Sequence, residues 1–196
     1  NIGRYCSYCE RNICDEAMHV EYIKPKSKYK SGVYLWDNFL VSCQRCNGKD
    51  NKSEKKVSFR KFHLPQINNT YFSITYYSDG RVEANSTLNP TELNKAKELI
   101  KLVGLDKING HPDHKELDKR DEKRRTVWAM AERLKLDFES PSPNLTINYI
   151  VEYAVVAGFW SVWMKVFENH RNVQDELIAS FKGTYPECMT KDINRS

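Results

Sequence analysis

Four cysteines in two Cys-x-x-Cys pairs, Cys6/Cys9 and Cys43/Cys46, constrain this 196-residue chain more than any other feature. A two-residue spacing lets adjacent thiolates reach one tetrahedral ion. Two such pairs supply the four-sulfur donor set of a closed, structural Zn²⁺ site. Four cysteines that merely happen to be buried would not share this spacing. Paired thiolates belong to a reducing compartment rather than to a disulfide framework, so the expected location is cytoplasmic. Cys14 and Cys188 are left over.

The residues between the pairs outline a small unit. Positions 17–23 alternate as a short strand does, and Pro25 ends it. A basic loop over 24–32 follows, closed by Trp36, Asp37 and Asn38, and Phe39-Leu40-Val41 reads as a second strand running into Cys43. A helix is expected from Asn47 to about residue 55, with an irregular start at Gly48 and Asp50. The order is therefore strand, loop, strand, helix, pinned by zinc. Between residues 20 and 61 eleven Lys/Arg stand against four acids, a surplus of seven in a chain whose net charge is +5. The basic face thus lies on the cysteine unit, where it suits an anionic partner or, more plainly, solvates a surface.

The rest of the chain changes character after a linker at 62–69. Residues 71–77, Ser78-Asp79-Gly80-Arg81 and Val82-Glu83-Ala84 predict a β-hairpin on an Asp-Gly turn. Asn89 and Pro90 start a helix whose stripe, Leu93, Ala96, Leu99, Ile100 and Val103, stops at Gly104. Helical spacing resumes over 115–136, is broken by Pro141 and Pro143, and resumes over 145–167 as one long apolar helix. Phe159, Trp160 and Trp163 read as core or subunit interface. Arg120, Lys123, Arg124 and Arg125 either extend the basic face or solvate their helix. His111 and His114 read as surface residues. Glu152 and Lys165 interrupt the most apolar run, and no leader precedes Tyr5, so no membrane association is expected.

The first unit resembles an HNH (ββα-metal) endonuclease of the subclass with a four-cysteine zinc site. In that family an acid followed by His lies on the strand between the cysteine pairs, an Asn lies in the loop, and an Asn or His follows the last Cys. Glu21, Asn38 and Asn47 occupy those positions. The resemblance implies that Glu21 and Asn47 hold a catalytic Mg²⁺ or Mn²⁺, that Asn38 orients the base, and that Lys24, Lys26, Lys28, Arg45 and Lys49 contact phosphates. The segments VEYIKPKS, WDNFLVSCQRCNGKD, ITYYSDGRVEAN, IKLVGLD and GFWSVWMKVF together resemble the HNH subunit of Septu-type and retron-associated anti-phage systems. That likeness implies an ABC-type ATPase partner docked on the apolar second half and a nucleic-acid substrate, DNA favoured over RNA.

The departure from the pattern is Tyr22, which stands where the family has its general-base histidine. An imidazole near pKa 6.5 accepts a proton at neutral pH, whereas a phenol near 10 does not, and loss of a general base costs about 10²- to 10⁴-fold. Three accounts remain open: a substituted histidine, a native site whose base is another imidazole such as His19, or a site that has abandoned catalysis. The expected architecture is α+β, with a zinc-pinned ββα-metal module over residues 1–61 and a β-hairpin plus mainly helical region over 70–196. The expected function is metal-dependent hydrolysis of nucleic acid in antiviral defence, inactivated by Tyr22; the alternative is a non-catalytic scaffold that binds nucleic acid or regulates the ATPase.

Overall fold

The computed structural model describes residues 3–14, 19–141 and 145–189. Strand β1 (His19–Tyr22) pairs antiparallel with β2 (Phe39–Ser42), setting Glu21 opposite Leu40 and Tyr22 opposite Phe39. The expected strand positions 17 and 18, and the breaker Pro143, lie outside the described residues. The crossing loop contains two short 3-10 turns, Lys30–Gly32 and Trp36–Asn38.

The helix expected from Asn47 to 55 is instead one turn, α1 (Gln44–Asn47), which ends at Gly48. Asn51 is the cause. Its side-chain amide donates to the Arg45 carbonyl at 2.7 Å, satisfying a helix-end acceptor and turning the chain inward. It packs where Gly104 has no side chain: a Cβ on Gly104 would lie 2.1 Å from Asn51 Oδ1. The backbone amide of Lys52 then donates to the Cys46 carbonyl at 3.2 Å, directing Lys52 into the core.

Residues 62–69 are packed rather than extended as a linker, with His63, Leu64, Asn68 and Asn69 buried. Asn69 caps a helical turn, α2 (Thr70–Ser73), where a strand is expected, so the hairpin is shorter: β3 (Ile74–Tyr76) and β4 (Val82–Ala84). Helix α3 (Pro90–Val103) has the expected ends. Asn89 accepts from the Glu92 amide, and Gly104 adopts the left-handed conformation. Helix α4 (Arg120–Phe138) begins five residues after the expected start at 115, behind turns.

The long helix expected over 145–167 is two helices, α5 (Ile147–Ala157) and α6 (Trp160–Val166). The first cysteine knuckle divides them. The Phe159 amide donates to the Glu10 carbonyl at 2.8 Å, and Gly158 bridges to Arg11. Gly158 has φ 74°, and a Cβ there would lie 2.6 Å from the Asn12 amide nitrogen. The Glu10 carboxylate accepts from the Ser161 amide and hydroxyl at 2.7 and 2.6 Å, anchoring the start of α6. Phe159, Trp160 and Trp163 are core, and α7 (Arg171–Ser180), which sequence periodicity missed, closes against α5 and α6. One continuous buried cluster runs from the four cysteines through the hairpin to α7.

Candidate active site

The four paired cysteines converge as their spacing requires. All are at most 1% exposed, and their sulfurs lie within 4.8 Å of one another. A tetrahedron of ~2.3 Å Zn–S bonds has sulfur–sulfur edges of about 3.8 Å, and Cys9 and Cys43 stand 3.7 Å apart. The neighbouring sulfurs hold the Cys43 thiol far below its ordinary value, while hydrogen bonding with Cys43 and burial push the Cys9 thiol up. Four clustered thiolates repel one another, so all four ionise together only around a cation. The donor set fits Zn²⁺.

Helix α4 braces this centre. Arg120 Nη1 donates to Cys46 Sγ at 3.2 Å, and the same guanidinium reaches the Val103 and Gly104 carbonyls at 2.9 and 2.8 Å. Asp118 pairs with it at 2.7 Å. Burial works to lower the Arg120 pKa, but the Cys46 sulfur and Asp118 more than offset it and hold the group above its ordinary value. Arg120 and Arg124 are both 2% exposed, and Arg124 donates to the Gly80 carbonyl. Neither extends the basic face, because both are buried. Lys123 and Arg125 are exposed.

Glu21 is the buried residue of β1, 1% exposed. Its Oε1 lies 2.5 Å from the Lys52 ammonium and accepts from the Tyr8 hydroxyl at 3.0 Å. Burial pushes this carboxyl up, against the pull of Lys52. Lys52 also donates to the Tyr22 carbonyl at 2.9 Å and is 0% exposed. Tyr8 belongs to the first cysteine knuckle, so the metal centre and the acid-bearing strand are joined by one hydrogen bond.

These residues do not fit a hydrated divalent ion as they stand. A Mg²⁺ site needs open oxygen donors that water and phosphate can reach, whereas Glu21 is closed and already neutralised by a fixed cation. Among the described residues, the grouping of three or more Cys, His, Asp or Glu donors is the thiolate quartet. Asn47 is half-buried at the end of α1. His19 is exposed while Glu21 is buried, so it is not drawn into a common site with the carboxylate. Tyr22 is half-buried, its ring 4.9 Å from Phe39 and beneath the Lys26 ammonium.

Asn38 closes the basic loop from inside. Its Oδ1 accepts from the Lys24 amide at 2.8 Å, and its Nδ2 donates to the Lys24 and Gly32 carbonyls at 3.1 and 3.0 Å. The Lys24 ammonium covers the Phe59 ring at 4.2 Å, and Lys28 donates to the Glu54 carbonyl at 2.7 Å. Lys26, Lys28 and Lys49 are exposed, and Arg45 is half-buried. Tyr8, Lys52, Asp118 and Arg120 are the residues that sequence reasoning missed. Lys52 looks like one more member of a basic run, and nothing in its spacing marks it as internal.

The match that decides the class covers this same unit: residues 6–53 match the HNH endonuclease family. This segment, about a quarter of the chain, is similar to HNH endonuclease domains. The chain is similar to the Septu protein PtuB of Bacillus thuringiensis, 43% identical over 53 residues, 26% of this chain and 21% of that protein. It is also similar to the Retron Vc95 putative HNH endonuclease of Vibrio cholerae serotype O1 biovar El Tor, 27% identical over 135 residues, 65% of this chain and 62% of the relative. The matches therefore span about a fifth and under two thirds of these relatives' lengths. In the matched segment the cysteine quartet, paired strands and one-turn helix make a ββα unit with its acid, Glu21, turned inward onto Lys52. No helix among the described residues is long and apolar enough to cross a membrane.

Proposed function

We propose that this chain is the HNH effector of a prokaryotic antiviral defence assembly, acting on nucleic acid, with its hydrolytic centre disabled in this sequence. The observation that carries the reading is the match of residues 6–53 to the HNH family, in which the cysteine quartet flanks the paired strands, β1 bearing Glu21 and Tyr22. The relatives named for Septu and retron systems support the defence setting. Lys24, Lys26, Lys28, Arg45 and Lys49 contact phosphates, and Asn38 holds the loop that carries the first three. Hydrolysis in HNH endonucleases uses a divalent metal; the family pattern gives that role to the positions of Glu21 and Asn47, but the closed Glu21–Lys52 pair does not fit such an ion. Tyr22 supplies no general base, and the Lys52 pair withholds the acid. The exposed face of α5, Tyr149, Tyr153 and Val156, is a fitting surface for an ABC-type ATPase partner.

The test is cleavage of plasmid DNA and of structured RNA by this chain and by Tyr22→His, with Mg²⁺ or Mn²⁺, with and without the ATPase partner. Cleavage by the histidine variant alone establishes position 22 as the base position. Equal cleavage by both puts the base elsewhere, with His19 the first residue to replace. Nucleic-acid binding without cleavage in any condition favours the scaffold reading.

A further inference from the structure

The loop that carries the lysines also carries three large apolar side chains that the fold leaves in water. Tyr34 is 94%, Leu35 60% and Trp36 76% exposed. Their backbone is nevertheless fixed. The Leu35 amide donates to the Gly32 carbonyl, the Asn38 amide donates to the Leu35 carbonyl, and the buried Asn38 side chain ties both ends of the loop. Three consecutive apolar residues held outward by an ordered backbone do not serve the core, so their position needs another account.

Their surroundings supply it. The Trp36 ring is 6.3 Å from Phe39, and Phe39 is 4.9 Å from Tyr22, over whose ring the Lys26 ammonium stands at 5.7 Å. An aromatic row therefore runs from solvent to the general-base position, with the exposed Lys26, Lys28 and Lys30 on the same loop. Cations for the backbone and flat rings for the bases are the two parts of a single-strand binding surface. In a duplex the base faces are already stacked on one another, so outward-facing rings find a partner where bases are unpaired.

We propose that Trp36, joined to position 22 through Phe39, is a stacking platform for unpaired nucleobases, with the exposed Tyr34 ring on the same loop as a second stacking face, and that the ligand of this domain is single-stranded or looped nucleic acid rather than intact duplex. This rests on the nucleic-acid reading given above. The lysines hold the strand, and the rings select its unpaired state.

The experiment is equilibrium binding by fluorescence anisotropy, using the full zinc-loaded chain without added Mg²⁺ or Mn²⁺. The probes are a labelled oligothymidylate and a blunt duplex of equal length. The single strand is expected to bind more tightly. Trp36→Ala is expected to weaken single-strand binding by about 5- to 150-fold, the range of one base–aromatic stack, with little change on duplex, and Trp36→Phe to restore most of the loss. Thermal melting checks the fold; if Trp36→Ala melts early, Tyr34→Ala, at the more exposed position, carries the comparison. Equal binding of both probes, with the ring variants matching the parent chain, overturns the platform while leaving the nucleic-acid reading intact, and assigns the row to a protein partner. Failure of both probes to bind overturns both.

Discussion

Replacing Lys52 by methionine removes the cation from a fully buried pair. Both side chains are 0% exposed and the ammonium lies 2.5 Å from Glu21 Oε1, so the variant strands a buried carboxylate without its counter-charge. Breaking a buried pair from one side costs about 3–5 kcal/mol. Loss of the hydrogen bond to the Tyr22 carbonyl belongs to the same change. With an unfolding entropy of ~2.1 cal/mol/K per residue, 196 residues give about 0.4 kcal/mol/K, so Tm should fall by about 7–12 °C. The assay is thermal and denaturant unfolding of the zinc-loaded protein. Glu21→Gln/Lys52→Met removes both charges and should recover a large part of the loss, since a neutral pair carries little of the desolvation penalty. A Lys52→Met cost below about 1 kcal/mol, or a double variant no more stable than the single, would refute the claim that this pair organises the strand.

Other outcomes follow from the same contacts. Elemental analysis should find a single Zn²⁺ per chain, and chelation should unfold the unit over residues 6–53, because the sulfurs cannot stay clustered and charged without the ion; chelation without any spectroscopic change counts against a structural site. Burial works to raise the Asp118 carboxyl, but Arg120 holds it below its ordinary value. The stability it supplies is therefore complete above the unfolded carboxylate pKa and is lost as pH falls through the lower folded value. The stability gap between the parent chain and Asp118→Asn should close on acidification below about pH 4, and a gap independent of pH would contradict this. Gly158→Ala should cost at least about 1–2 kcal/mol from its positive φ alone, with the Asn12 clash added. An unchanged denaturation midpoint would show that the α5–α6 break does not depend on this glycine.

Much of the fold and part of the site can be read from local sequence. Cys-x-x-Cys spacing depends on the reach of adjacent thiolates, so the quartet was legible. So were the ends of α3, set by Asn89, Pro90 and Gly104, and the Asp-Gly turn of the hairpin. The presence of two short strands between the cysteine pairs was legible as well, while the register placing Tyr22 opposite Phe39 came from the fold. Asn38 was legible as a loop residue, and its three hydrogen bonds to the Lys24 and Gly32 backbone are seen only in the fold.

What the sequence determined by itself are features whose energy is local: metal-ligand spacing, caps, turns, and the apolar periodicity of α3. Tertiary structure decided the features whose energy lies between distant segments. Apolar spacing continues through Gly158, and only the approach of Glu10 and Asn12 splits the helix there. Lys52 and Arg120 carry the same charge as their solvated neighbours. Their burial follows from partners 31 and 74 residues away, Glu21 and Cys46. A buried cation is stable only where an anion meets it, and that meeting is a property of the folded chain.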